Sequence, residues 1–152
     1  MSQASTHPTL RDPITFEVVK NGLLSLADEM AITIVRTAHC QMIRDAMDFS
    51  TAICDRHGRV VAQGIGVPGL LGAMPDALKC VIAKFGGRIE PDDVYVLNDP
   101  DQGGMHLPDV FIFRPVFWER HLLGYTGVVA HHQDIGGRVP GGNAVDSTEI
   151  FQ

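Results

Sequence analysis

The chain has 152 residues and a formal net charge of −6 at pH 7, with 45% hydrophobic and 20% charged residues. This length is typical of one domain, and the composition excludes a disordered chain, a collagen-like repeat and a coiled coil. The acidic balance argues against a nucleic-acid partner, which needs a basic face on the protein.

The cysteines and the distribution of apolar residues indicate the cellular compartment. Cys40, Cys54 and Cys80 are widely spaced and form no Cys-x-x-Cys pair, so neither a disulfide framework nor a cysteine zinc site is indicated. No segment offers about 18 consecutive apolar residues for a membrane span. Residues 1–11 form a polar leader rather than a signal peptide. These features predict reduced thiols, no membrane partner and a cytoplasmic protein.

The first half of the chain predicts a long helix. Asp12 can accept backbone N–H groups at the start of a helix, and Pro13 loses nothing there because its missing N–H would be unpaired anyway. Apolar residues then recur every three or four positions from Phe16 to Ala38. This period is typical of an amphipathic helix ending near residue 38.

Shorter elements are predicted next. Residues 49–55 and 59–63 read as two strands around a glycine turn, which indicates a β-hairpin. A second helix is expected over residues 70–85, ended by the Gly86-Gly87 pair.

The last part of the chain predicts strands separated by two glycine-rich loops. The expected strands are 94–97, 110–113 with 116–118, and 122–130. The loops are 98–109 and 131–143, and they hold much of the glycine excess. Helices and strands that are mixed along the chain without strict alternation predict an α+β fold.

These two loops concentrate acids and imidazoles, namely Asp99, Asp101, His106 and Asp109 in the first and His131, His132 and Asp134 in the second. Mixed histidine and aspartate ligands suit Zn²⁺, Mn²⁺ or Fe²⁺. The alternative is ordinary turn chemistry, in which aspartates bond to nearby backbone N–H groups. Neighbouring residues of an extended segment point to opposite faces, so we expect only one of the adjacent histidines to bind an ion and the other to orient a ligand or substrate.

Two other patterns carry less weight. Gly64, Gly66 and Gly69 match Gly-x-Gly-x-x-Gly between a strand and a helix, but Pro68 removes an N–H that should cradle a pyrophosphate. A flexible or substrate-lining loop is therefore favoured there, and any ATP is expected on another polypeptide because no phosphate loop occurs. Cys40 beside His39 could be a nucleophile, or simply a small buried hydrophobe.

Several stretches resemble the hydantoinase B/oxoprolinase family, particularly N-methylhydantoinase B-type subunits. They are Asp12-Pro-Ile-Thr-Phe-Glu-Val-Val, Asp48-Phe-Ser with residues 55–63, Asn98-Asp-Pro with Gly103-Gly104 and His106-Leu-Pro-Asp109, and residues 130–137 with Pro140-Gly141. The resemblance runs from residue 12 to the last residue. It implies that residues 12–152 form the α+β N-terminal segment of a larger B-type domain, and that the chain is truncated.

The resemblance also implies a reaction. A hydantoinase A-type partner with an actin-like ATPase fold would bind ATP and phosphorylate the substrate oxygen. The B-type subunit would then complete hydrolytic ring opening of a cyclic amide, such as a hydantoin or 5-oxoproline, within a hetero-oligomer. Two alternatives stay open: an ATP-dependent ketone carboxylase subunit, as in the related acetone carboxylases, and a catalytically silent fragment or interaction module.

The site implied by the resemblance falls in the two loops. A divalent metal maps onto His106, Asp109 and His131, and a carboxylate from Asp45 or Asp99 is a candidate to complete the set. His132 or Asp134 would support the site or act as general base in metal-assisted attack on the phosphate-activated lactam.

Overall fold

The computed structural model describes residues 12–133, 136–139 and 144–149. Its elements are, in chain order, α1 (Pro13–Thr37), α2 (Gln41–Arg44), β1 (Phe49–Asp55), β2 (Val60–Gln63), α3 (Pro68–Phe85), β3 (Tyr95–Leu97), β4 (Asp109–Trp118) and β5 (His121–His131). Short 3₁₀ turns lie at Gly86–Arg88 and Pro100–Gln102. The predicted α+β fold is confirmed. Within the described ranges, no helix combines the length and apolar character that crossing a bilayer requires.

The long first helix begins where the sequence predicts it. The Asp12 carboxylate accepts from the backbone N–H groups of Ile14 and Thr15 at 3.1 and 3.2 Å. The pKa of Asp12 is lowered, mainly by the hydrogen bond from the Thr15 hydroxyl and then by these backbone bonds. Of the residues of α1, Ala27 and Ala31 are buried, so the helix approaches the sheet through small side chains.

The five strands form one antiparallel sheet in the order β2-β1-β5-β4-β3. Helix α3 packs on one face, where alternate residues of the central strands are buried. The core on that face includes Met74 and Leu78 of α3 together with Ala52, Cys54, Phe111, Phe113, Tyr125 and Val129 of the sheet. Burial, and secondarily the Asp55 charge, raises the pKa of the Cys54 thiol to about 12, so this cysteine is a protonated core residue.

Helix α1 contacts the other face at β1 and β2. The buried hydroxyl of Thr51 donates to the Ala27 carbonyl at 2.9 Å, and the Asp28 carboxylate accepts from the Ile65 backbone N–H at 3.1 Å. The two helices therefore lie on opposite faces of the sheet, and the β1–β2 hairpin is held between them.

Several predicted boundaries shift. Helix α3 begins at Pro68 rather than at residue 70, and β3 begins at Tyr95 rather than at residue 94. The segments 110–113 and 116–118 form one strand that runs through Pro115. Strand β3 pairs with β4 only at Phe111, Ile112 and Phe113, so Pro115 lies where β4 has a partner on one side only, and a missing N–H is tolerated there.

Strands β4 and β5 form a long hairpin that ends at the site. Trp118 pairs with His121 next to the turn, and the register then shifts by one residue between Val116 and Phe117. Beyond this β-bulge the ladder is regular as far as Asp109, which pairs with His131. The two loops predicted to be functional therefore leave the sheet side by side.

Candidate metal centre

Strand pairing brings the first two side chains of the site together. Asp109 is the first residue of β4 and His131 the last of β5, and residues that pair directly across antiparallel strands point to the same face. His131 Nδ1 lies 2.8 Å from Asp109 Oδ1. The Asp109 side chain is 0% exposed and that of His131 is 14% exposed. A carboxylate is thus placed at the end of the row that otherwise carries Phe111 and Phe113.

A tight turn brings in the third side chain. The His106 backbone N–H donates to Asp109 Oδ2 at 3.0 Å, and the Asp109 N–H donates back to the His106 carbonyl at 2.9 Å. His106 Nδ1 lies 3.0 Å from the same Oδ2. Both oxygens of the buried carboxylate are therefore occupied, each facing one imidazole, as a buried charge requires.

The preceding loop is folded to hold this turn. Asp99 caps the 3₁₀ turn through Asp101 N, and its carbonyl accepts from Gln102 and Gly104. Gly103 has φ +86°, and a Cβ there would lie 2.7 Å from the Ala77 nitrogen of α3. The loop is therefore pressed against α3 in a conformation that suits glycine.

The three side chains lie close enough together to hold one cation. One ligand atom from each of His106, Asp109 and His131 lies within 4.8 Å of the other two. The rings of the two histidines are nearly perpendicular, with centroids 6.4 Å apart. His106 is 71% exposed, so one side of the group is open to solvent while Asp109 is enclosed. Two imidazoles and one carboxylate fit a borderline divalent ion with room for a further ligand.

Other predicted site residues lie apart from this group or outside the description. Asp45 is exposed and pairs with Arg44 at 3.0 Å. The Asp99 carboxylate is engaged in its turn, with Oδ1 3.0 Å from the Asp101 nitrogen. His132 is exposed, and its backbone N–H donates to Pro108 O at 2.9 Å. Asp134 lies outside the described residues. The structure thus brings together three of the predicted metal ligands.

Asn98 belongs to one of the stretches that carry the family resemblance, but sequence reasoning assigned no role to its side chain. Its Nδ2 donates to the Leu107 carbonyl at 2.8 Å, across the base of the loop. Its residue type and its place directly after strand β3 were the available indication, since an asparagine amide can donate hydrogen bonds to the carbonyls of a neighbouring loop.

The two weaker patterns have structural explanations. A Cβ on Gly64 would overlap the Ala27 carbonyl and the Thr51 hydroxyl, and one on Gly66 would overlap the Phe49 carbonyl. These glycines allow close packing against α1 and β1, which supports a structural role for the glycine loop. The Cys40 thiol donates to Gln133 Oε1 at 3.6 Å.

Comparison with known sequences gives consistent matches. A model of the family described as hydantoinase B/oxoprolinase matches residues 12–152. Caprolactamase subunit beta from Pseudomonas jessenii is 37% identical over 140 residues, covering 92% of this chain and 24% of that protein. The 5-oxoprolinase of Saccharomyces cerevisiae is 33% identical over 142 residues, covering 93% of this chain and 11% of that protein.

Solved structures agree. The crystal structure of ATP-dependent caprolactamase from Pseudomonas jessenii superposes with a TM-score of 0.76 at 33% identity, over 94% of this chain and 25% of that chain. A nucleotide-free acetone carboxylase structure has a TM-score of 0.78 at 23% identity, over 84% of this chain and 17% of that chain, and shares the fold. The chain thus spans a quarter or less of the length of these relatives.

Proposed function

Because the chain belongs to the hydantoinase B/oxoprolinase family, we propose that it is part of a B-type subunit that hydrolyses a cyclic amide in an ATP-dependent complex. The relatives are named for a caprolactam and for 5-oxoproline, and both compounds contain a ring amide. The caprolactamase whose structure matches is described as ATP-dependent, and the caprolactamase chain that matches in sequence is named as subunit beta. The proposed partner is an A-type ATPase subunit in a hetero-oligomer.

The proposal assigns residues 12–152 to the N-terminal segment of a larger B-type domain. It is supported by matches that cover nearly all of this chain but a quarter or less of the relatives. The proposed enzyme is cytoplasmic. This fits its proposed use of ATP, and it fits the three cysteines, which are all free.

The observation that carries the chemical proposal is the buried Asp109 between two imidazoles. We infer that His106, Asp109 and His131 hold a divalent ion, with Zn²⁺, Mn²⁺ and Fe²⁺ as candidates. An ion held by such ligands polarises a carbonyl or lowers the pKa of water. Asp109 supplies the negative charge, the hairpin fixes His131, and exposed His106 lies on the side from which a substrate can approach.

The remaining predicted residues keep supporting roles in the proposal. The Asp48 carbonyl accepts from the His131 N–H at 3.0 Å, so the short segment that carries Asp45 adjoins the end of β5. Asp45 is proposed as an additional carboxylate ligand once it leaves Arg44, and Asp99 is the alternative. His132 or Asp134 is proposed as the general base, acting on water beside the activated amide.

Metal analysis of purified protein tests the ion site. His106→Ala is expected to lower the bound metal well below the wild-type content, because it removes one of three ligands. His57→Ala is the matched control, since His57 is an exposed histidine on the β1–β2 turn. Equal metal content in wild type and His106→Ala would contradict the ligand assignment.

Reconstitution tests the reaction. The protein, within its full-length subunit, is combined with an A-type partner, ATP and a cyclic amide. Ring opening that depends on ATP is the expected result. Product formation that depends on bicarbonate and a ketone would favour a carboxylase instead, and the absence of both activities would favour a module without catalysis.

A further inference from the structure

We propose that Asn98 is a positioning residue that sets His106 in place for metal binding. This inference rests on the proposed metal site and adds to it a residue outside the ligand set. The starting point is a single side-chain contact: Asn98 Nδ2 donates to the Leu107 carbonyl at 2.8 Å. Leu107 follows His106 directly, so the contact fixes the peptide next to the most exposed ligand.

The turn that carries His106 is held from three sides. On the buried side, the Asp109 carboxylate accepts from the His106 N–H, and the Asp109 N–H donates to the His106 carbonyl. From β5, the His132 N–H donates to the Pro108 carbonyl at 2.9 Å. From β3, the holding group is the Asn98 side chain. The first set of contacts uses the Asp109 side chain and backbone and the second uses backbone groups alone, whereas the third depends on an amide donor at position 98.

The contact matters most for His106 because this ligand is less firmly held by the surrounding structure than the other two. Asp109 is 0% exposed and His131 is 14% exposed, and both belong to the β4–β5 ladder. His106 is 71% exposed and lies in the loop. Burial and strand pairing therefore fix two ligands, while the third relies on the hydrogen bonds that hold its turn. Groups that orient a metal ligand without touching the ion commonly change metal affinity 10- to 100-fold when removed.

The chemistry at position 98 is specific. The Leu107 carbonyl needs a donor, and an amide Nδ2 provides one. Aspartate has nearly the same shape as asparagine but, when ionised, only accepts hydrogen bonds. Asn98→Asp would therefore place a carboxylate oxygen against the carbonyl oxygen, and Asn98→Ala would leave the carbonyl without its partner. Asn98→Gln keeps the donor on a longer side chain.

Titration of the purified, metal-free protein with Co²⁺ tests the inference, because the visible absorption of bound Co²⁺ reports both affinity and ligand geometry. Asn98→Asp and Asn98→Ala are expected to bind Co²⁺ about 10-fold more weakly than wild type. Their spectra are expected to move toward that of His106→Ala, with Asn98→Gln between them and wild type. The thermal midpoint of each metal-free variant is measured in parallel.

Thr126→Val is the matched control, because the Thr126 hydroxyl donates to the Arg114 carbonyl at 3.4 Å in the middle of the same hairpin. It should leave both affinity and spectrum unchanged. Wild-type Co²⁺ affinity and spectrum in Asn98→Ala and Asn98→Asp would overturn the role of Asn98 while leaving the metal site intact, even if their thermal midpoints fell. Failure of wild type itself to bind Co²⁺ would overturn the metal site and, with it, this inference.

Discussion

Two loops of this chain contain glycine pairs or repeats, and they have different roles in the structure. The first loop, residues 64–67, lies between the β1–β2 hairpin and α3, and its first glycine, Gly64, fits under the Ala27 carbonyl of α1. The loop from Asn98 to Asp109 folds on itself and against α3, and it presents His106 above a buried carboxylate. Glycine serves close packing in both. The difference is that titratable side chains converge only on the second, so the glycine pattern alone is a poor guide to chemistry.

The largest effect is expected from adding a side chain at Gly64, in the first of the two loops. Gly64→Ala places a methyl group against the Ala27 carbonyl and the Thr51 hydroxyl, so the free energy of unfolding should fall by about 3 kcal/mol. Urea unfolding measures this change. Metal bound per folded molecule should stay at the wild-type value. Wild-type stability in this variant would show that the loop is not closely packed.

Next in size is the loss of the central acid in the second loop. Asp109→Asn keeps the shape but removes the charge between two imidazoles, so metal affinity should fall about 100-fold, equivalent to about 2.7 kcal/mol. Competition with a chelator measures the affinity. Asp55→Asn is the control, because this partly buried carboxylate accepts from the Arg59 and His57 backbone far from the group. Loss of stability without loss of metal in Asp109→Asn would make Asp109 a purely structural residue.

A smaller effect is expected from the glycine that folds the second loop. Gly103→Ala combines a left-handed φ of +86° with a Cβ only 2.7 Å from the Ala77 nitrogen. The strain should cost about 1–2 kcal/mol of stability, and metal affinity should fall about 10-fold because His106 shifts. Calorimetric metal titration and thermal unfolding separate the two losses. Unchanged affinity would show that the loop tolerates displacement.

The smallest effect is expected at Gly69, the last glycine of the Gly-x-Gly-x-x-Gly pattern. Gly69 lies in the first turn of α3, and a Cβ there meets nothing within 4 Å. Gly69→Ala should therefore raise stability, by at most about 0.5–1 kcal/mol, since alanine favours a helix. Metal binding should not change. If the protein bound a dinucleotide and this variant abolished that binding, the structural interpretation of the loop would be wrong.

Sequence reasoning predicted most of the fold and the residue types of the site. Local signals carried this success, such as the Asp12-Pro13 start of α1 and the turn at Gly58. Metal binding by the predicted ligands stays a prediction. What local signals could not give was the pairing of the two loops. If the pairing set at the two-residue turn after Trp118 continued without a bulge, Asp109 would pair with Ala130. In the structure the bulge between Val116 and Phe117 shifts the register by one residue, so Asp109 pairs with His131.

The bulge is invisible in the sequence because it is a property of how two strands fit together. It depends on the twist of the hairpin and on packing beneath it, and no local preference encodes either. The same reason explains why the roles of Asp45 and Asp99 were left open: their distance from the imidazoles depends on tertiary packing. In the structure Asp45 turns to Arg44 and Asp99 to its own turn.

The β4–β5 hairpin also determines which changes of chain length the site tolerates. Asp109 and His131 are 22 residues apart, and every residue between them belongs to this hairpin. An insertion at the Glu119-Arg120 tip lengthens the turn and leaves the pairing of the open end intact. A single insertion within either strand must become another bulge, or it moves His131 to the opposite face of the sheet. A search for the same site in other chains should therefore let the Asp-to-His spacing vary at the turn and require matched lengths in the two strands.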